Sequence, residues 1–143
     1  MRLLRALVVE RLSERKTIWT QTLAQLGFDS LEAADGLQAL RLASEDGVDL
    51  VVLDLPTSQI GGADLPHLIG CGLFGAVPPP TIVYMDDSMP RAPRRPSLRQ
   101  PFVTWIESPI DAASAAEAVA MAFAPLETEG EPLEAAPRRV RGS

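Results

Sequence analysis

The feature that most constrains the fold is a short apolar run, DLVVLDL at residues 49–55, which is bounded by acids. A strand with one face in water alternates apolar and polar residues, whereas a strand covered on both faces is apolar throughout. The run therefore predicts an interior strand of a parallel sheet. The chain has 143 residues, the size of one domain with a short tail, and 46% of them are hydrophobic, which is enough to form a buried core.

Segments with strand and helix patterns alternate along the rest of the chain. We predict strands at 6–9, 28–33, 49–55, 81–85 and 102–106, and helices at 13–26, 36–45, 62–70 and 111–123. This alternation predicts an α/β fold, a doubly wound five-stranded parallel sheet with helices on both faces. Residues 1–124 are expected to form this domain. Residues 125–143, which are acidic and then basic with little to bury, are expected to form a disordered tail.

The connection between the fourth and fifth strands departs from the pattern, because its prolines forbid a regular helix there. We call residues 86–105 the Arg/Pro segment. Its stretch 90–101 has no acid and carries four arginines: Arg91, Arg94, Arg95 and Arg99. The whole chain has a net charge of −6, so this stretch contributes +4 and the remainder −10. We therefore expect an extended ribbon in place of the fourth helix, with a cationic surface on an acidic body.

Four sequence stretches indicate a family: LVVE at 7–10, GFDSLEAADGLQAL at 27–40, DLVVLDL at 49–55 and SPI at 108–110. Over about residues 5–124 the chain resembles the CheY-type receiver domain of response regulators. That resemblance implies a flavodoxin-like fold and a phosphate switch. In the switch an aspartate after the third strand accepts phosphate, Mg²⁺ is held by two acids, and a hydroxyl and a lysine read the modified state.

The residues at the matched positions depart from the family pattern. By the resemblance, Asp54 is the possible phospho-acceptor, the two acids fall on Glu10 and Arg11, the hydroxyl on Met85, the lysine on Ser108, the following proline on Pro109, and the proline and glycine after the acceptor on Ser58 and Gly62. Replacing a carboxylate by a guanidinium removes a ligand and adds opposing charge beside Mg²⁺. Phosphoryl transfer depends on positioning and charge compensation. We therefore expect a degenerate receiver with no metal and no enzymatic activity.

The Arg/Pro segment carries groups suited to guanine and phosphate. Guanidinium groups bond bidentately to the O6 and N7 edge of guanine and to phosphate oxygens. Acids can accept from the opposite guanine edge, hydroxyls can bond phosphate, and an aromatic ring can stack. The candidate binding residues are Asp86, Asp87, Ser88, Arg91, Arg94, Arg95, Ser97, Arg99 and Trp105. A small ligand rich in guanine and phosphate fits this set, and cyclic di-GMP (c-di-GMP) is such a ligand.

The run DDSMPRAPRRPSLRQPFVTW at 86–105 resembles the CheY-like c-di-GMP effectors (Cle proteins) of alphaproteobacteria. The resemblance implies binding of c-di-GMP, as an intercalated dimer, and action on a flagellar motor switch protein that affects motility and surface attachment. We expect a cytoplasmic monomer, recruited to the flagellated pole, that neither binds DNA nor inserts into membranes.

Three other readings stay open at this stage. Asp54 could accept phosphate with Glu10 alone holding the metal, the segment could be a solvated loop of a ligand-independent interaction module, or its arginines could bind RNA or DNA. In the last case the tail would assist through Arg138, Arg139 and Arg141. Three further residues receive structural interpretations: His67 as a surface helix residue, Cys71 as a thiol without a catalytic partner, and Trp19 as a packing residue.

Overall fold

A computed structural model describes residues 3–61, 63–84, 100–106, 110–124 and 138–139. The strands are β1 Leu4–Val9, β2 Phe28–Ala33, β3 Leu50–Asp54, β4 Thr81–Tyr84, β5 Val103–Trp105 and β6 Arg138–Arg139. All their pairings are parallel, and the sheet order is β2-β1-β3-β4-β5-β6. The predicted α/β doubly wound sheet is confirmed. Strand β3, the run from which the prediction started, is buried along its whole length between β1 and β4.

Helices cover both faces of the sheet. They are α1 Ser13–Gln25, α2 Gly36–Asp46, α3 Leu65–Gly70 and α4 Ala112–Ala122, with a short 3₁₀ helix at Pro56–Ser58 after β3. Because successive strand residues point to opposite faces, β1 supplies two cores. Val8 packs with Trp19 of α1 and Ala118 of α4. On the other face, Val9 packs with Leu65 of α3.

The predicted element bounds agree with the structure to within one or two residues, except at α3. That helix was expected over 62–70 and begins at Leu65, because Ile60 and Ala63 pair in an isolated antiparallel bridge before it. Pro66, which weakened the prediction, lies in the first turn of α3. An amide hydrogen there has no intrahelical acceptor, so its absence costs the helix nothing.

The sheet has one strand more than expected. Residues 138–139 lie in the segment predicted to be a disordered tail, and they pair with β5 through the registers Thr104 to Arg138 and Trp105 to Arg139. The remaining residues after 124 lie outside the described residues, as do residues 85–99, where the extended ribbon was expected. None of the helices in the described part of the chain is both long and apolar enough to cross a membrane.

Candidate functional site

Four strand ends place polar and aromatic side chains at one edge of the sheet. Glu10 directly follows β1, while Asp54, Tyr84 and Trp105 are the last residues of β3, β4 and β5. Because the strands are parallel, their carboxyl ends share this edge, which is where open α/β sheets bind their ligands. We call this region the carboxyl edge.

Glu10 is completely buried at the carboxyl edge, and both of its oxygens are bonded to the protein. Oε1 accepts a hydrogen bond of 2.5 Å from the hydroxyl of Tyr84, and Oε2 accepts one of 3.0 Å from the backbone N–H of Leu12. Oε1 also lies 3.2 Å from Nε of Arg15, whose side chain is 15% exposed. A buried carboxylate is tolerated only when it is paired and hydrogen-bonded, and these three groups meet that requirement.

Tyr84 connects this acid to the core beneath it. Its ring stacks on Trp19 with 5.8 Å between the centroids, and the guanidinium carbon of Arg15 lies 5.8 Å from the Tyr84 ring centroid. Burial, and then the negative charge of Glu10, raise the pKa of Tyr84 far above its ordinary value. The phenol therefore stays protonated and remains a hydrogen-bond donor to Glu10.

This raised pKa has a measurable consequence, because Tyr84 is the single tyrosine of the chain. When the pKa of a group is raised in the folded state, its contribution to stability is complete below the unfolded pKa, here about pH 10. That contribution is lost as the pH rises above this value, because the unfolded chain then ionises more readily than the folded one. We expect the near-ultraviolet absorbance of tyrosinate to stay absent as pH rises past about 10, and to appear only together with loss of the helical circular dichroism. A tyrosinate titration near the ordinary pKa, with the circular dichroism unchanged, would contradict the buried Glu10–Tyr84 bond.

Asp54, the acceptor position, is 5% exposed. Its Oδ2 accepts a hydrogen bond of 2.7 Å from the hydroxyl of Thr57 in the 3₁₀ helix. Ser58, which stands where the family has proline, is buried and donates its hydroxyl to the carbonyl of Leu55 at 3.0 Å. The turn after β3 is thus closed by hydroxyl groups, one of which engages the carboxylate that would accept phosphate.

The residues at the carboxyl edge do not fit Mg²⁺. This ion requires near-octahedral oxygen ligands, yet both oxygens of Glu10 are used by protein donors. The second acid position is the exposed Arg11, and the guanidinium of Arg15 adds a further positive charge. Within the described ranges, no group of three or more His, Cys, Asp or Glu side chains is placed to hold a metal ion.

Most of the sequence-predicted ligand residues lie outside the described residues: Asp86, Asp87, Ser88, Arg91, Arg94, Arg95, Ser97 and Arg99, together with Met85, Ser108, Pro109 and Gly62. Trp105 is described, and it lies in the core that contains Val83 and Ile69, with 4% of its surface exposed. A base cannot stack on a ring whose faces are covered by core side chains. The structure therefore places Trp105 as a packing residue of β5 and not as an open stacking surface.

The three structural interpretations from the sequence fare differently. Trp19 is fully buried, so its packing role is confirmed. His67 is an exposed residue of α3, as predicted. Cys71 was expected to lack a catalytic partner; its Sγ lies 3.8 Å from Nε2 of His67, because the two residues are one helical turn apart. Both side chains are exposed, and the described residues place no further ligating side chain with them.

Comparison with known proteins shows which fold this is. No protein-family model matches the chain. The receiver domain of the hybrid histidine kinase CckA superimposes with a TM-score of 0.61 at 26% identity, covering 84% of this chain and 99% of that one. The chemotaxis response regulator CheY4 of Vibrio cholerae superimposes with a TM-score of 0.66 at 15% identity, covering 85% of this chain and 100% of that one. The chain folds as a CheY-like receiver domain.

Two further relatives agree with this fold. A response regulator protein from Burkholderia multivorans is 26% identical to this chain, with a TM-score of 0.61 over 89% of this chain and 100% of that one. Over 87 residues this chain is 29% identical to the CAI-1 autoinducer sensor kinase/phosphatase CqsS of Vibrio cholerae serotype O1. That match spans 61% of this chain and 13% of the kinase. These comparisons thus show a receiver fold that the chain shares with a sensor kinase and with response regulators.

Sequence reasoning missed three side chains of the carboxyl edge of this receiver domain: Arg15, Thr57 and Tyr84. A weak signal exists for Tyr84, since it ends the apolar run TIVY and a buried tyrosine usually finds a partner for its hydroxyl. Glu10 lies 74 positions away in sequence, so their pairing becomes evident only when β1 and β4 flank β3 in the sheet.

Proposed function

We propose that this receiver domain is a phosphorylation-independent signalling effector that binds c-di-GMP through its Arg/Pro segment. The observation that carries the proposal is the charge pattern of residues 90–101, which hold four arginines and no acid in a chain of net charge −6. Arginine, unlike lysine, offers a planar fork that bonds bidentately to guanine and phosphate. The acidic remainder of the chain disfavours a long polyanion but leaves room for a small one.

The place of the segment in the chain supports this proposal. Strand β4 ends at Tyr84 and β5 begins at Val103, and the two strands are neighbours in the sheet. The chain therefore leaves β4 at the carboxyl edge before it enters the Arg/Pro segment. Ligands of open α/β sheets bind outside this edge, so the chain leaves β4 on the side where a nucleotide would be expected.

The engaged state of Glu10 supports independence from phosphorylation. Its two oxygens are bonded to Tyr84 and Leu12, and its charge is compensated by Arg15. A ligand-dependent signal then has to come from another region of the domain, and the Arg/Pro segment is the region with unexplained chemistry.

The energetics are compatible with a useful affinity. Ordering a flexible residue costs on the order of 1–2 kcal/mol, but prolines already restrict this segment. Charge-assisted hydrogen bonds contribute roughly 1.5–3 kcal/mol each, and base stacking roughly 1–3 kcal/mol per base. Two c-di-GMP molecules offer four guanines, so a net free energy of about −8 kcal/mol, a micromolar Kd, is attainable.

The signal would pass to a protein partner, for which we propose a flagellar motor switch protein, with motility and surface attachment as the outputs. The support is the resemblance of the Arg/Pro segment to the CheY-like c-di-GMP effectors. If ligand and partner use one surface, ordering of that surface by c-di-GMP would couple the two binding events.

Isothermal titration calorimetry with c-di-GMP tests the proposal. We expect heat evolution with a Kd of about 1 μM or tighter and a stoichiometry near two ligands per chain, as an intercalated ligand dimer requires. No heat at high c-di-GMP concentration would overturn the proposal. Binding of polynucleotides with a steep salt dependence, in the absence of c-di-GMP binding, would instead favour the nucleic-acid reading.

The phospho-accepting alternative is tested separately, by incubation with acetyl phosphate and Mg²⁺ and intact mass spectrometry. We expect no mass gain at Asp54, because its neighbour Glu10 is not available to a metal and Arg11 replaces the second acid. A receiver domain that is phosphorylated under the same conditions serves as the positive control. A stable phosphoryl adduct that Asp54→Asn removes would establish the alternative.

A further inference from the structure

Gln100 lies at the downstream end of the stretch that holds the four arginines. Gln100 follows Arg99 directly and precedes β5, and its backbone carbonyl accepts the N–H of Val103 at 3.0 Å. Its side chain does not extend into solvent but reaches α3, where Nε2 donates a hydrogen bond of 3.1 Å to the carbonyl of Pro66. Gln100 thus joins the Arg/Pro segment to a helix more than thirty residues earlier in the chain.

Gly70, the last residue of α3, leaves space for this amide because it has no side chain. A Cβ added to Gly70 would lie 1.8 Å from Oε1, 2.7 Å from Cδ and 3.0 Å from Nε2 of Gln100. Gly70 is absent from the glycines with positive φ, so its backbone does not demand glycine. The need is one of space. Glycine at this position is explained by the close approach of the Gln100 amide and by nothing else that the structure shows.

We propose that Gln100, held on α3 by Pro66 and Gly70, is a positioning residue for ligand binding by the Arg/Pro segment. We call these three residues the Gln100 clamp. In the sequence, the four arginines stand between Gln100 and Tyr84, and Tyr84 is fully buried and bonded to Glu10. Fixing both ends of a loop removes conformations that binding would otherwise have to remove. This role rests on the proposed function, since the ligand in question is c-di-GMP.

The clamp can be opened with little cost to the fold. Gly70→Ala places a methyl group where the Gln100 amide now lies, and this amide is the far end of a flexible side chain that can turn away. Alanine is also the better helix former, so α3 itself is not weakened. Gln100→Ala removes the same contact from the other side. The matched controls are Ser44→Ala on the exposed side of α2 and Gln21→Ala on the exposed side of α1, neither of which touches the clamp.

Limited trypsin digestion tests the Gln100 clamp in the absence of any ligand, through the rate of cleavage. Trypsin can cut after Arg91, Arg94 and Arg99, whereas the bond after Arg95 is protected by Pro96. In both clamp variants we expect cleavage within 91–99 to become about two- to tenfold faster, the factor that the loss of one hydrogen bond produces. The Gly70→Ala/Gln100→Ala double variant should show no further increase, and the two controls should cleave like the wild type. Thermal unfolding temperatures should stay unchanged or rise slightly for Gly70→Ala.

Calorimetry with c-di-GMP then gives the functional readout. We expect the Kd of both clamp variants to rise about two- to tenfold, with the controls unaffected. Unchanged cleavage rates in Gly70→Ala, or faster cleavage with an unchanged Kd, would overturn the positioning role. Should the wild type itself fail to bind c-di-GMP, the proposed function falls, while the digestion experiment still decides whether Gln100 holds the segment.

Discussion

Replacing Arg91 and Arg95 together by alanine should abolish measurable c-di-GMP binding in the micromolar range. Each arginine is expected to make a charge-assisted hydrogen bond worth roughly 1.5–3 kcal/mol, so the pair accounts for about 3–6 kcal/mol. This corresponds to a rise in Kd on the order of a hundred- to ten-thousand-fold. Calorimetry on the wild type and the double variant measures the difference, and circular dichroism shows whether the fold is kept.

The control for this prediction is the Arg138→Ala/Arg139→Ala variant, which removes the same charge from β6. It should bind c-di-GMP within about threefold of the wild type if recognition is local to the Arg/Pro segment, because salt screens charges that make no direct contact with the ligand. Equal losses in the two double variants, both diminished at high salt, would show that the ligand responds to diffuse positive charge and not to particular arginines.

The largest expected effect on stability comes from Arg15→Met. This change leaves the fully buried carboxylate of Glu10 without its positive partner, while Tyr84 and Leu12 still donate to it. Breaking one side of a buried pair typically costs 3–5 kcal/mol, and the two remaining donors place the expected loss of unfolding free energy at about 2–4 kcal/mol. Urea denaturation at neutral pH, followed by circular dichroism, measures it.

The neighbouring lysine provides a matched control. Lys16 lies on the same helix and pairs with Glu32 at 3.9 Å, but the Glu32 side chain is 53% exposed. An exposed pair contributes about 0–1 kcal/mol, so Lys16→Met should change stability little. The Glu10→Gln/Arg15→Met double variant should recover part of the loss, because the amide is neutral and its oxygen can still accept from Tyr84, although its NH2 group cannot accept from Leu12. Equal destabilisation by Arg15→Met and Lys16→Met would mean that Glu10 does not depend on Arg15.

The fold could be predicted from the sequence because its signals are local. The apolar run that forms β3, the alternation that forms β2 and the helical spacing of Trp19 and Leu23 each express a period of two or 3.6 residues. The prolines and glycines between 62 and 75 made only the start of α3 hard to predict. Strand β6 had no such signal, since Arg138 and Arg139 have neither alternation nor apolar side chains, and their pairing with β5 depends on the sheet already being formed.

The candidate site could be predicted only in part. Asp54 and Glu10 are found from the ends of their strands, but the state of Glu10 depends on Tyr84, which reaches it across the sheet. The Gln100 clamp is equally non-local, because the space above Gly70 exists only when α3 lies beside the entry to β5. The prediction of Trp105 as a ligand residue was wrong, because a three-residue strand gives too short a pattern to show that its aromatic residue faces the core.

The two tryptophans of the chain lie in different cores, Trp19 with α1 and α4 on one face of the sheet and Trp105 with α3 on the other. Neither indole N–H has a hydrogen-bond partner among the described residues, and both rings are almost completely buried, so we expect both to emit from apolar surroundings. A variant that keeps only Trp105 would therefore report by fluorescence on the face that α3 covers, and one that keeps only Trp19 would report on the face that contains the Glu10–Tyr84 bond. The molecule thus carries a separate intrinsic optical probe for each of its two faces.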